Sequence, residues 1–166
     1  MDERPTDADW VTDQRRRIGE LIDEYREALL ASLDGLTEDE ARRRLVPSLT
    51  TLLGLVKHAT FVEGVWFDQA VTGASYAELG IAATVDGSFR LRAADTIDSV
   101  RAAYRERIEA SRRNLEPLHS DDVVDGRGER PLWALELQVL RELAQHAGHA
   151  DILREQILAD RPGAPG

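Results

Sequence analysis

Glu142-Leu-Ala-Gln-His146-Ala-Gly-His149 is the stretch whose reading decides how this chain folds. Glu142, His146 and His149 recur at i, i+4 and i+7, so a helix presents all three side chains on one face. The same face carries Leu135 and Val139 before the cluster and Leu153 and Ile157 after it. An apolar stripe of the kind a helix turns toward a core is thus interrupted, for about two turns, by a carboxylate and two imidazoles. Burying such groups without partners is costly, and a divalent metal is the simplest partner.

The helix that carries this stretch is expected to open with Pro131 as its first residue and to run to about Asp160, where Arg161-Pro162-Gly163 stops it. Three more long helical patterns precede it. The first runs from about Asp9 to Leu33, with Ile18, Ile22, Tyr25, Leu29 and Leu33 at spacings of three and four. Asp34-Gly35 ends it, and Thr37-Glu-Asp-Glu40 has the spacing of a capping box that opens a short helical turn before Pro47. The second starts near Ser48 to Thr51 and reaches about Val71, with Leu52, Leu55, Val56, Ala59, Val62, Val65 and Trp66 as its apolar face. His58 projects from the edge of that face. The third begins at Asp95 or Thr96 and carries Ile97, Val100, Tyr104, Ile108, Ser111 and Leu115.

Between these patterns lie two connections with no period, 73 to about 94 and 116 to 130, and no strand is expected in either. The first is long for a compact domain, which points to a lid or an oligomer contact. Four long amphipathic helices define an all-α chain folded as a four-helix bundle. One domain is expected over 1–166, with its core at about 10–160 and a disordered tail at 161–166.

Composition narrows the function. The 166 residues suffice for a core without staples. There is no cysteine, hence no disulfide, no thiolate ligand and no cysteine nucleophile, and any thiol chemistry needs a thiol from outside. A net charge of -10 argues against a surface that tracks nucleic-acid phosphates. No apolar run is long enough to span a bilayer, and Met1-Asp-Glu-Arg-Pro-Thr-Asp lacks the apolar centre of a signal peptide, so no membrane partner and a cytoplasmic location are expected. Arg15-Arg16-Arg17 and Arg42-Arg43-Arg44 read as solvated helix faces, with a grip on a carboxylate substrate as the sharper alternative.

The candidate metal ligands are His58, Glu142, His146 and His149. Glutamate and histidine at i, i+4 can chelate one ion from a single helix. Three protein ligands plus water make an open, catalytic type of site. Nitrogen and oxygen donors suit zinc, nickel, iron or manganese. His119, in a polar loop beside Pro117 and Asp121, reads as exposed.

The chain resembles the DinB/YfiT-like superfamily of metal-binding four-helix bundles, in particular its actinobacterial branch. The resemblance rests on Thr51-Leu-Leu-Gly-Leu-Val-Lys-His58 followed by Glu63 and Trp66-Phe67, and on Glu142-Leu-Ala-Gln-His146-Ala-Gly-His149-Ala-Asp151, and it covers about residues 10 to 160, including the loop that ends in Asp86-Gly-Ser-Phe89. It implies a divalent metal, zinc or nickel first, held by His58 and by a pair on the fourth helix. Many members have histidine where this chain has Glu142. The mycothiol-dependent maleylpyruvate isomerases, which are similar, have glutamate there, so Glu142 and His146 carry over. His149 becomes an extra ligand or a residue that orients one, and Asp151 is structural.

The resemblance further implies an enzyme that activates a low-molecular-weight thiol of the mycothiol type for transfer to, or isomerisation of, a small electrophile, and a homodimer. The alternative is a non-catalytic dimeric bundle that binds metal or a small ligand. Metal-dependent hydrolysis would need a general base beside the metal, and Glu63, five residues after His58, points elsewhere by helical phase.

Overall fold

The hydrophobic periodicity becomes four long helices in the computed structural model, which describes residues 7–162, with side chains from residue 13 onward. These are α1 (Asp7–Ala31), α3 (Leu52–Glu63, extended by a π-helical turn Gly64–Gln69 and by α4, Ala70–Thr72), α6 (Ile97–Leu115) and α7 (Leu132–Ala159). Short α2 (Glu38–Ala41) follows the first, and α5 (Val85–Phe89) lies in the long connection. The caps fall where the sequence puts them. Thr37 and Thr96 close capping boxes with Glu40 and Ser99, and the Thr51 hydroxyl accepts from the Gly54 amide at the start of α3. Gly73 ends α4 with φ +72°, a left-handed conformation that costs glycine nothing.

Cross-helix pairings fix the directions. Arg15 of α1 meets Glu136 of α7, and Arg154 reaches the Ser32 carbonyl, so these two helices run parallel. Glu63 meets Tyr104, and Asp68 meets Asn114, so α3 and α6 also run parallel. Arg101 at the Leu30 carbonyl and Arg112 at Asp23 set α6 antiparallel to α1. The order is therefore up, down, down, up. Consecutive parallel helices need a long crossover, and that is the role of the aperiodic segment from Gly73 to Thr96. Leu29, Leu33, Leu52, Leu55, Tyr104, Leu135, Leu143 and Ile157 sit in the shared core with almost no exposed surface.

Two expectations are corrected. The second connection is not strand-free: β1 (Val123–Asp125) and β2 (Glu129–Pro131) form an antiparallel hairpin. Pro131 is accordingly extended, with ψ 146°, pairs with Val123, and caps α7 instead of starting it; the first helical residue is Leu132. Strands this short carry too few residues to show alternation in sequence. Arg161, expected in the tail, donates to Glu40 and to the Gly35 carbonyl, tying the end of α7 to the α1–α2 turn; residues 163–166, and the side chains of 10–12 at the expected start of the core, lie outside the described residues.

The crossover approaches α3 closely at Gly54. A Cβ there would lie 2.9 Å from the Thr51 hydroxyl oxygen and 3.0 Å from the Phe89 carbonyl oxygen. Gly54→Ala is expected to destabilise the fold. Overpacking against backbone typically costs about 1–3 kcal/mol, more than the ~1 kcal/mol that alanine gains over glycine inside a helix. Urea unfolding measures the balance, and a variant more stable than the wild type would show that the crossover gives way freely.

Candidate metal centre

Antiparallel α3 and α7 bring together groups that are far apart in sequence. His58 and His146 meet edge to face, with ring centroids 4.7 Å apart and planes at 86°. Glu142, one turn before His146, places Oε2 3.6 Å from His146 Nε2, too far for a hydrogen bond. His58, Glu142 and His146 each offer a ligand atom, and these atoms all lie within 4.8 Å of one another. The sequence reading named all three. His149 is exposed; its ring leans on His146 with centroids 5.8 Å apart, and it contributes no atom to the group. His119 is exposed, as expected, and Asp151, read from the resemblance as structural, is exposed too.

The surroundings determine the charge state of each donor. His58 is buried on α3 and stacked beneath Phe89 of α5, with centroids 3.9 Å apart and planes at 16°. Burial, helped by repulsion from His146, pushes its pKa down to about 3. Burial also lowers His146, although the Glu142 carboxylate pulls the other way. Both rings are therefore neutral at neutral pH and carry free lone pairs, the form in which imidazole binds metals. Glu142 is steadied from the side away from the rings: Gln138 Nε2 donates to its Oε1 at 2.9 Å and Arg141 at 3.1 Å. Oε2 is left facing His146.

The test of fit is His146. Both of its ring nitrogens are buried, and neither has a hydrogen-bond partner among the described residues. An orphaned buried polar atom costs about 1–3 kcal/mol, and a cation in the gap would take the lone pair of one of the two, Nε2, which lies 3.6 Å from Glu142 Oε2. The atoms nearest to that gap are a carboxylate oxygen and a second imidazole. Two nitrogens and one oxygen, with no fourth protein ligand in the group, match an open divalent site.

Sequence reasoning missed two residues of the site. Ser88 and Phe89 arrive from the crossover, where no periodicity marks them; Asp86-Gly-Ser-Phe89 entered the resemblance without a role in the site, and a local signal is Thr84, whose hydroxyl caps α5 by accepting from the Gly87 amide. The basic triplets do not converge on the site. Arg15 is spent on Glu136 and on the Leu115 and Leu118 carbonyls, Arg16 and Arg17 on Glu20, and Arg42, Arg43 and Arg44 on backbone carbonyls and Asp160. Glu63 turns away from His58 into a buried pairing with Arg26 and Tyr104, which agrees with its helical phase.

A helical bundle that gathers two neutral imidazoles and a carboxylate from facing helices, and has no thiol of its own, belongs to the DinB/YfiT-like class of metal-binding bundles. Within that class the chain is a member of the mycothiol-S-transferase family, whose model matches residues 17–159. No curated protein matches it. Membership implies mycothiol-S-transferase activity, with mycothiol and an electrophile as the reacting molecules, and a metal that the His58, Glu142 and His146 group can hold. No described helix is long and apolar enough to cross a membrane.

Proposed function

We propose that His58, Glu142 and His146 hold a divalent cation, zinc or nickel, and that the protein joins mycothiol, through its sulfur, to a small electrophile at this centre. The observation that carries the reading is the orphaned Nε2 of His146 beside a free carboxylate oxygen of Glu142. When bound, such an ion lowers the pKa of a coordinating thiol, so that a thiolate is present at neutral pH.

The chain's own residues prepare the place for that chemistry. His58 and His146 are kept unprotonated by burial, so no proton has to leave before they ligate. Gln138 and Arg141 hold the Glu142 carboxylate in place. Phe89 covers one face of His58 and keeps water off it. His149, edge-on to His146, orients that ring without ligating. The absence of cysteine leaves the external thiol as the only sulfur nucleophile. The same reading takes the protein as a single-domain cytoplasmic homodimer; a monomeric mass by light scattering would remove the dimer.

The experiment combines metal content with turnover. The purified protein and a His58→Ala, His146→Ala variant are analysed for metal after incubation with zinc and nickel, then assayed for conjugation of mycothiol to 1-chloro-2,4-dinitrobenzene. One metal per chain and accelerated conjugation are expected for the wild type, with neither in the variant. A wild type that stays empty in both metals overturns the metal centre. A loaded wild type that consumes no mycothiol with any of several electrophiles returns the protein to a binding role.

A further inference from the structure

We propose that Ser88 is a positioning residue that locks His58 as the tautomer protonated on Nδ1, leaving Nε2 as the ring's one lone pair for the metal centre. This rests on the metal reading above for its consequence, but the tautomer can be tested without any metal.

Ser88 is 1% exposed and its Oγ lies 2.6 Å from His58 Nδ1. A hydroxyl has one proton to give. Here that proton is committed one turn back along α5, where Ser88 Oγ donates to the Val85 carbonyl. The oxygen is left as an acceptor toward His58. Nδ1 must then carry the hydrogen and donate it, because the opposite tautomer would bring the carbonyl, the hydroxyl oxygen and a bare ring nitrogen together with one proton for two short contacts. His58 makes no other hydrogen bond among the described residues. In a neutral imidazole, a proton on Nδ1 leaves Nε2 unprotonated.

The hydroxyl can do this only if α5 is well formed and fixed relative to α3; one feature secures the helix itself and two fix its place. Thr84 caps α5 through the Gly87 amide at 3.0 Å. Lys57, next to His58, donates to the Arg90 carbonyl at 2.8 Å and to Asp95 at 2.7 Å, closing the far side of the crossover. Gly54, one turn before His58, lets the Phe89 carbonyl settle against the α3 backbone. Ser88 and Phe89 are consecutive, so one short helix both orients the His58 ring by its edge and covers it by its face. The crossover that joins the two parallel helices thus doubles as the support of a ligand. Outer partners of this kind typically matter 10- to 100-fold in metal affinity.

The test uses full-length protein labelled with 15N at histidine, first without metal. Long-range proton–nitrogen correlation spectra of the wild type at pH 7.5 are expected to show His58 with Nδ1 protonated and Nε2 bare. Ser88→Ala should give a mixture of tautomers at His58 and zinc binding weaker by 10- to 100-fold, measured by competition with a zinc-binding dye. Ser88→Thr, which keeps a hydroxyl, should restore the single tautomer and most of the affinity. Thermal melts of the metal-free variants identify any that fail to fold. A wild type with His58 protonated on Nε2 overturns the inference. So does a folded Ser88→Ala protein that keeps both the wild-type tautomer and the wild-type zinc affinity. A wild type that shows the expected tautomer but takes up no zinc upholds the role of Ser88 and overturns the metal reading instead.

Discussion

Arg26→Ala should cost the fold about 3–5 kcal/mol. That is a large share of the roughly 5–15 kcal/mol available to a domain of this size. The reason lies in what the substitution strands. Glu63 is fully buried, and Arg26 grips both of its oxygens, with Nε at 3.0 Å and Nη2 at 2.7 Å. Tyr104, also fully buried, donates its hydroxyl to the same carboxylate at 3.0 Å. Asp23 anchors the other end of the guanidinium at 2.8 Å. Without Arg26 a carboxylate remains in the centre of the bundle with one neutral donor. Urea unfolding at pH 7 measures the loss. The triple change Arg26→Met, Glu63→Leu, Tyr104→Phe should be far milder than Arg26→Ala alone, because it removes the charges together. A single variant within ~1 kcal/mol of the wild type would mean that water reaches Glu63 and solvates it.

This buried pair also shows what the sequence made legible. Arg26 lies four residues after Ile22 and three before Leu29, on the apolar stripe of α1, so its burial could have been foreseen from spacing alone. The four long helices were readable for the same reason: each repeats its apolar residues every three or four positions over many turns. The π turn at Gly64–Gln69 was not readable, because tertiary partners impose it. Asp68 is drawn to Arg107 and Asn114 on α6 while Phe67 stays in the core, and the wider turn accommodates both. The hairpin and α5 were hidden by shortness.

In the site, His58, Glu142 and His146 emerged from helical phase because each interrupts an apolar face. His149 shares their phase within α7, yet at its level the core is lined by Ala147, Ala150 and Leu153, and the imidazole turns to solvent. A single helix wheel cannot say where the neighbouring helix stops covering it. Ser88 was beyond reach of any periodic argument, since it comes to His58 through the path of the crossover.

His146→Leu should act in opposite directions with and without metal. In the metal-free protein the ring holds two buried nitrogens that have no partner among the described residues, and a leucine of similar bulk removes that cost, about 1–3 kcal/mol of gained stability. With zinc at 1,000 times its dissociation constant the wild type should gain about 4 kcal/mol, and the variant, with one of three donors gone, nothing. The order of stability therefore inverts on adding zinc, a trade of stability for function. Acid should separate the two proteins as well. Burial lowers the pKa of His146 and takes His58 from 6.5 to about 3. Below pH 6.5 the unfolded chain therefore binds protons that the folded chain refuses, and the metal-free wild type loses stability as the pH falls from 6.5 toward 3. The variant keeps only the His58 share of that loss. Thermal melts of both proteins, with and without zinc at pH 7.5 and metal-free at pH 5, test the inversion and the acid slope together. If zinc stabilised the two proteins equally, His146 would not be a ligand. If leucine destabilised the metal-free protein, the imidazole would be a satisfied part of the core, and the argument from its orphaned nitrogens would fall.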